Sequence, residues 1–145
     1  MNPSQGSDFI WPVRVYIEDT DAGGIVFYAN YLKYMERART ERIRALGFSR
    51  LETIDPSVLF VVHSAQLRYH RPARLDDSLE VTADLADLRR TSMTFGQVVT
   101  HAGRGEKLVE GQIRVACIDR ERMRPVAMPA ALYQALQGTL KESVT

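Results

Sequence analysis

The sequence contains a single cysteine, Cys117, which excludes a disulfide within the chain and indicates a reducing compartment. Its apolar neighbours Val115, Ala116 and Ile118 favour a thiol packed in a strand over a reactive nucleophile. No apolar run approaches the roughly 20 residues that span a bilayer, so we expect no transmembrane helix. Residues 1–8 lack the basic and apolar regions of a signal peptide, and we expect them to be a disordered lead of a cytoplasmic protein.

An excess of one charge is also lacking, since 19 Lys and Arg residues face 18 Asp and Glu residues, for a net charge of +1. This balance excludes a nucleic-acid binder that depends on bulk electrostatics. Repeats, low-complexity segments and internal linkers are missing, and 145 residues suit one domain with one core. His63, His70 and His101 lie far apart in the sequence without metal-ligand spacing, so no metal site is expected.

The pattern of apolar residues predicts an α+β fold. Period-two alternation predicts a first strand from about Ile10 to Glu18, and helical periodicity predicts a long helix from about Tyr28 to Ala45 that stops at Gly47. The remainder is typical of neighbouring antiparallel strands with tight connections. These elements are expected at about Val58 to His70, Ser78 to Arg89, Ser92 to His101, Lys107 to Asp119 and Pro125 to Ala127, followed by a helix from Ala130 to Leu140.

One face of the long helix is apolar, and we expect an antiparallel sheet to wrap around it and bury that face. The face consists of Tyr28, Tyr31, Leu32, Tyr34, Met35, Ala38, Ala45 and Leu46. Arg39 and Arg42 project close to it. They either extend to the edge of the apolar face or meet a carboxylate, and the first alternative is favoured.

The most informative segment, EDTDAGGIVFYANY, runs from Glu18 to Tyr31 and places Asp19 and Asp21 in a glycine-containing turn where the helix begins. Unpaired N–H groups at a helix start can stabilise the oxygen of a polarised carbonyl group. A carboxylate beside them can act as a base or a nucleophile. In isolation, however, aspartate in a turn is more often a loop or capping residue. The segment therefore indicates hydrolysis of an activated carbonyl, with a local structural role as the alternative.

This segment, together with the run ERARTE from Glu36 to Glu41, resembles the hot-dog-fold acyl-CoA thioesterases of the 4-hydroxybenzoyl-CoA thioesterase type. It is most similar to the YbgC subfamily, which is encoded alongside the Tol-Pal cell-envelope system. The likeness covers nearly the whole chain through Arg68 to Asp77, Arg90 to Ser92 and Met123 to Pro125. It implies one hot-dog domain over residues 1–145, in a homo-oligomer (dimer or tetramer) with the active site at the subunit interface.

The resemblance assigns catalysis to Asp21 and the oxyanion contact to the backbone N–H of Tyr28, with Gly24 allowing close approach of the substrate. Asp19 and Thr20 are expected to shape the turn. Some YbgC members carry a histidine where this chain has Tyr28, so a role for that histidine side chain is lost here. Asp21 is expected either to activate water or to attack the thioester directly, and both routes stay open.

Further contacts are expected from the strands and from a basic turn. His63 is a candidate substrate-binding residue beside the pocket, with an ordinary strand-surface histidine as the alternative, and Tyr31 is expected at the pocket floor. The turn at Arg90 matches the family's nucleotide-contacting turn, where arginine suits phosphate. The candidates for binding coenzyme A are Arg89, Arg90, Thr91, Ser92 and Arg124, with Arg90 first. Coenzyme A is part of the substrate, so no separate cofactor is expected.

We therefore expect an acyl-CoA thioesterase for short- to medium-chain or aromatic acyl groups, and acyl carrier protein is an alternative carrier. A second hypothesis is a non-catalytic scaffold that binds acyl carrier protein or the envelope complex. Asp21 in an intact turn favours the enzyme. A dehydratase or hydratase of the same fold ranks last, because its chemistry requires a positioned base, commonly histidine, and none accompanies the Asp21 turn.

Overall fold

A computed structural model describes residues 7, 9–49 and 54–140, so most of the predicted disordered lead lies outside the described residues. Within them, six strands form one antiparallel sheet. The elements in chain order are β1 (Ile10–Arg14), α1 (Asn30–Ala45), β2 (Val58–Tyr69), β3 (Ser78–Thr82), β4 (Asp84–Arg89), β5 (Ser92–His101), β6 (Lys107–Asp119) and α2 (Ala130–Gln137). A short 3-10 turn, Ile17–Asp19, follows β1. No helix in these ranges is long and apolar enough to cross a membrane.

The sheet has the strand order β1-β3-β5-β6-β2, and β4 continues the line of β3 along β5. The single strand predicted from Ser78 to Arg89 is therefore divided at Ala83. At this point the hydroxyl of Thr82 accepts a hydrogen bond from the N–H of Val98 at 2.8 Å. A side-chain hydrogen bond therefore takes the place of a backbone hydrogen bond between the strands. The division lets the sheet bend, and it leaves β1 at one edge and β2 at the other.

Helix α1 packs against β1, β3 and β5 on the inner face of the bent sheet. Tyr31, Tyr34, Met35 and Ala38 are buried there, as predicted from the apolar face, whereas Tyr28, Leu32 and Ala45 are exposed. Cys117 is also buried, as expected, and burial raises the pKa of its thiol to about 11, so the thiol is protonated at neutral pH. The predicted α+β fold, with a sheet wrapped around one long helix, is confirmed.

The two ends of α1 differ in how well the sequence predicted them. Gly47 stops the helix as expected, at a φ of +104° that favours glycine. The start was wrong by two residues, because α1 begins at Asn30. Likewise β1 ends at Arg14 instead of Glu18, because Val15 bonds to the turn before β3, where it donates its N–H to the carbonyl of Asp77, and the chain then enters the 3-10 turn at Ile17.

The C-terminal part of the chain differs from the prediction at two points. Pro125 to Ala127 is not a strand, and in the described chain this segment meets β6 through one isolated bridge between Ile118 and Pro125. The final helix ends at Gln137 instead of Leu140, with Pro129 as its N-cap residue.

The two arginines beside the apolar face adopt arrangements that the sequence did not predict. Arg39 donates from Nη1 to Oε1 of the buried Gln97 at 3.0 Å, and no carboxylate of the described residues pairs with it. The guanidinium of Arg42 lies 5.6 Å from the ring centroid of Phe9. Both arginines are half-buried at the edge of the apolar face, and Arg39 in addition bonds to a side chain of the core.

Candidate active site

The turn that carries Asp21 is a tight reversal closed by backbone hydrogen bonds. The N–H of Asp21 donates to the carbonyl of Ile25 at 2.9 Å, the N–H of Gly24 donates to the carbonyl of Asp21 at 3.1 Å, and Thr20 bridges to Val26. Gly24 has a φ of +78°, where a residue with an L side chain would be strained. The backbone conformation of the turn therefore requires glycine at position 24, independently of any approach of a substrate.

The carboxylate of Asp21 is exposed at the tip of this turn. One of its oxygens, Oδ1, accepts a hydrogen bond from the N–H of Gly23 at 2.8 Å, and this contact orients the side chain. Because ordinary turn aspartates make the same contact, the geometry alone allows both the catalytic and the loop interpretation. The difference between them lies in what surrounds the turn.

The start of α1 has no side-chain cap. Its N-cap residue is Ala29, and the first turn contains no acidic residue. In the described chain, no acceptor receives the N–H of Tyr28, whose side chain is 65% exposed. Ser, Thr, Asp or Asn usually occupies the N-cap position. The N–H of Asn30 already donates to the carbonyl of Phe27 at 2.8 Å, so the N–H of Tyr28 and the positive end of the helix dipole are what the helix start leaves for an external oxygen.

Asp19 fixes the turn to the start of this helix. Its buried carboxylate accepts hydrogen bonds from the N–H of Tyr16 at 2.8 Å and from the side-chain amide of Asn30 at 2.9 Å, while its carbonyl accepts the N–H of Phe27 at 2.9 Å. Burial raises the pKa of Asp19, but these side-chain hydrogen bonds and the charge of Arg37 outweigh burial and lower the pKa below its ordinary value. Asp19 is therefore ionised in the folded protein.

The turn is also tied to the segment after β2. The N–H of Val26 donates to the carbonyl of Ala73 at 2.9 Å, and the N–H of Ala73 donates to the hydroxyl of Tyr31 at 2.9 Å. Tyr31 is only 2% exposed. In the folded chain, the buried Tyr31 therefore supports the Asp21 turn through Ala73. Its contact with a substrate stays a prediction.

Sequence reasoning missed Tyr69, at the end of β2. Its hydroxyl donates to the carbonyl of Tyr28 at 3.0 Å, and its ring packs edge-on against Tyr28 and Tyr31 with centroid distances of 6.4 and 5.7 Å. The contact holds the peptide that precedes α1. Tyr69 belongs to the segment from Arg68 to Asp77, which resembles the family. This resemblance is the feature of the sequence that points to Tyr69.

His63, the other predicted substrate-binding residue, is the extra residue of a β-bulge. Val62 pairs with Val115 and Ser64 pairs with Arg114, so His63 has no partner in β6. The bulge lies in the middle of β2, and the side chain is exposed. A role in substrate binding stays a prediction for this residue.

The predicted nucleotide-binding residues lie at the turn between β4 and β5 and beside it. Arg89 pairs with Asp87 at 3.1 Å, and the guanidinium of Arg90 lies 5.0 Å from the ring centroid of Tyr133 in α2. Ser92 is buried, and in the described residues its hydroxyl has no hydrogen-bond partner. The cationic groups of this turn are thus partly engaged within the protein, but both arginines stay exposed.

Thr91 and Arg124 both contact the end of β6 through their backbone carbonyls. The carbonyl of Thr91 accepts the N–H of Cys117 at 2.8 Å, and the carbonyl of Arg124 accepts the N–H of Asp119 at 2.8 Å. Arg124 itself is exposed. The five predicted nucleotide-binding residues are therefore gathered at one end of the sheet.

This end of the sheet is the one remote from Asp21. Tyr69, next to the Asp21 turn, pairs with Val109 of β6, whereas Ser92 pairs with Ala116 of the same strand. At about 3.3 Å per residue, the stretch from Val109 to Ala116 separates the two groups by about 23 Å. A single chain therefore does not bring the predicted catalytic and nucleotide-binding residues together.

A cavity of about 670 Å³ opens between the second half of α1 and strands β2, β5 and β6. It is lined mainly by apolar side chains, among them Ile43, Phe48, Phe60 and Phe95, and also by Arg39. Its size is that of a small-molecule site. In the described part of the chain, no cluster of His, Cys, Asp and Glu is placed to hold a metal ion.

Comparison with known proteins gives consistent results. Residues 23–107 match the family model of the thioesterase superfamily. The acyl-CoA thioester hydrolase YbgC of Escherichia coli O6:H1 is 44% identical over 124 residues, which cover 86% of this chain and 92% of that protein. The acyl-CoA thioesterase YbgC of Haemophilus influenzae is 40% identical over 128 residues, covering 88% and 93%.

Solved structures agree with these relatives. A probable thioesterase from Bartonella henselae has a TM-score of 0.73 at 30% identity, covering 85% of this chain and 99% of that one. The 1,4-dihydroxy-2-naphthoyl-CoA thioesterase Slr0204 from Synechocystis has a TM-score of 0.83 at 19% identity, covering 89% and 95%. The second likeness concerns the fold alone.

The hydrogen bonds of Asp19 predict a pH-dependent stability. We expect Asp19→Asn to lower the free energy of unfolding by about 1–3 kcal/mol at neutral pH, because charge-assisted hydrogen bonds are lost. Since the folded pKa of Asp19 lies below its ordinary value of 3.8, the carboxylate stabilises the fold above that value. The contribution disappears as the pH falls through the folded pKa. The stability difference between the two proteins should therefore shrink below about pH 3.8.

Urea unfolding of both proteins between about pH 7 and pH 2.5 measures this difference. Asp87→Asn is the control, because it removes an exposed carboxylate and should change stability by less than about 0.5 kcal/mol. A difference that persists unchanged at the lowest pH would contradict the assigned role of Asp19.

Proposed function

The chain belongs to the thioesterase superfamily and within it to the YbgC acyl-CoA thioesterases, and from this membership we propose that it hydrolyses acyl-CoA thioesters. The observation that carries the proposal is the exposed carboxylate of Asp21 beside a helix start that no side chain caps. A turn aspartate with a purely structural role would not require the helix N-terminus to stay open. We propose short- to medium-chain or aromatic acyl groups as substrates.

In the proposed reaction, Asp21 either takes a proton from a water molecule that attacks the thioester carbon or attacks that carbon itself. Either attack places negative charge on the thioester oxygen. The N–H of Tyr28 donates to this oxygen, and the helix dipole adds to the stabilisation. Collapse of the intermediate expels the thiolate of coenzyme A, which takes up a proton. In the direct route, water then hydrolyses the mixed anhydride and frees Asp21.

We further propose that two protomers complete each site. Strand β2 has twelve residues and an outer edge that pairs with no strand of the described chain, and Val61 and Val62 are exposed on it. A long exposed edge with apolar side chains is a template for pairing. If β2 pairs antiparallel with its copy about a two-fold axis, Val58 of one protomer lies opposite Tyr69 of the other.

This pairing supports a shared active site. The Asp21 turn is attached at the Tyr69 end of β2, and the turn at Arg90 lies toward the Val58 end of the sheet. Antiparallel pairing about the middle of β2 therefore moves each Asp21 turn toward the partner's nucleotide-binding residues. It also moves Asp21 toward strand residues from Val58 to Ser64, including His63. Assembly of two such dimers into a tetramer stays a prediction.

The first test is hydrolysis of acetyl-, hexanoyl- and benzoyl-CoA, followed as release of free thiol, with hexanoyl-acyl carrier protein as the alternative carrier. We expect Asp21→Asn to lower kcat by about 100- to 10,000-fold, because asparagine keeps the shape but cannot accept the proton or attack. Glu18→Gln, an exposed carboxylate in the same motif, is the control and should stay within about twofold of the parent.

Each outcome of this assay has a distinct meaning. If the parent protein releases no thiol from any substrate, the scaffold hypothesis replaces the enzyme. If Asp21→Asn folds, as judged by circular dichroism, and keeps full activity, the assignment of Asp21 is wrong.

A second test isolates the oxyanion contact. Tyr28→Pro removes the N–H at a position just before the N-cap residue Ala29, where, among the described residues, no hydrogen bond of the helix depends on that N–H. We expect kcat to fall by about 100- to 1,000-fold while KM changes little. Tyr28→Phe keeps the N–H and should retain activity within about threefold. Equal activity in the folded proline variant would show that another donor serves the oxygen.

A third test asks whether the site is shared between protomers. Asp21→Asn and Arg90→Ala protomers are unfolded together and refolded as a mixture, and activity is measured at low acyl-CoA concentration. In a mixed dimer, one site then combines an intact Asp21 with an intact Arg90 from the partner. We expect activity well above that of either variant alone, approaching about a quarter of the parent's for random pairing. A site built within one chain would give no recovery.

A further inference from the structure

The cavity beneath the second half of α1 contains a charge that the proposed chemistry does not use. Most of its lining is apolar, and Arg39 is the least exposed of its charged residues, the others being Glu36 and Arg44. A guanidinium held against apolar side chains is unfavourable unless an acceptor meets its N–H groups. The cavity therefore suits an occupant that is apolar along its length and carries an oxygen anion.

Gln97 fixes the orientation of the guanidinium. Its side-chain amide Nε2 donates to the carbonyl of Met35 at 3.0 Å and to the carbonyl of Thr82 at 2.9 Å, which leaves Oε1 to accept from Nη1 of Arg39 at 3.0 Å. Gln97 is 1% exposed, so this arrangement is held in the core. Across the described ranges, the guanidinium makes no other side-chain hydrogen bond, and no carboxylate lies within ion-pair distance.

The chemistry of the group narrows the choice of ligand. Burial lowers the pKa of Arg39, the charge of Glu36 partly offsets this, and arginine remains protonated at neutral pH. The remaining N–H groups form a planar fork that matches a carboxylate. A neutral methyl end of an acyl chain would leave this fork without an acceptor.

Within one protomer, the helix sets the distance between Arg39 and the proposed oxyanion contact. Tyr28, which donates the proposed oxyanion contact, precedes Arg39 along α1, and at 1.5 Å per residue the two are separated by about 16 Å along the axis. An extended medium-chain acyl group reaches that far, whereas an acetyl or propionyl group does not.

We propose that Arg39 binds the distal carboxylate of the acyl group, so that the preferred substrates are coenzyme A monothioesters of medium-chain dicarboxylic acids. The inference rests on the proposed function, because the same site must hold the thioester. In this proposal, Arg39 is a specificity determinant that contacts the end of the acyl chain farthest from the thioester bond.

The test compares dodecanedioyl-CoA with dodecanoyl-CoA, which differ only in the distal carboxylate. We expect the parent protein to show a kcat/KM about tenfold higher for the dicarboxylic substrate. Arg39→Gln should lower that value by about 10- to 100-fold and leave dodecanoyl-CoA within about threefold. Arg42→Gln, on the same helix but against Phe9 outside the cavity, should keep the preference. Equal kcat/KM values in the parent, or equal losses on both substrates in Arg39→Gln, would overturn the proposal.

Binding of thioethers that cannot be hydrolysed separates this inference from the proposed function. Calorimetry with 11-carboxyundecyl-CoA and dodecyl-CoA should show tighter binding of the carboxylated compound by the parent, and loss of that difference in Arg39→Gln. If Arg39→Gln does not fold, Arg39→Lys replaces it as the test variant, because lysine keeps the charge but lacks the planar fork of N–H groups. In Arg39→Lys, the difference in affinity between the two thioethers should become smaller. Selective binding without hydrolysis of any thioester would reject the enzyme and retain the subsite. Hydrolysis of thioesters together with equal binding of both thioethers would reject the carboxylate subsite and retain the enzyme.

Discussion

The buried carboxylate of Asp19 is the interaction on which the candidate site depends. The carboxylate joins the segment after β1, through the N–H of Tyr16, to the first residue of α1, through the side-chain amide of Asn30, while the backbone carbonyl of Asp19 holds the Asp21 turn through the N–H of Phe27. The charged carboxylate can stay buried at this junction, because its two hydrogen bonds offset the cost of burial. The position of Asp21 relative to the helix start follows from this junction.

The junction also explains how the helix begins without a side-chain cap. An N-cap side chain is worth about 1 kcal/mol to a helix, and α1 forgoes it at Ala29. Packing of Tyr31, Tyr34 and Met35 inside the sheet keeps the helix in place, and Tyr69 secures the peptide of Tyr28 from the other side. The helix start can therefore remain open toward solvent. Stability that an ordinary helix takes from its cap comes here from the tertiary structure around it.

The sheet divides the proposed site into two halves that one chain cannot join. The helix start and Asp21, the proposed catalytic residue, lie at one end of β2, and the basic turn lies at the other end of the sheet. The open edge of β2 offers the means to unite them, because a two-fold axis reverses the strand direction. In this arrangement, edge pairing would serve the reaction as well as the burial of exposed apolar side chains.

The sequence by itself determined the α+β class, the long helix with its glycine stop, and the motif around Asp21, because periodicity and local turn chemistry are written into neighbouring residues. It did not reveal the break at Ala83, the partners of Asp19, the support from Tyr69, the hydrogen bond between Arg39 and Gln97, or the separation of Asp21 from Arg90. Each of these depends on residues distant in sequence that the bend and register of the sheet bring together or hold apart. Only the tertiary structure decides such distances, since side chains from different strands meet according to how the whole sheet packs on its helix.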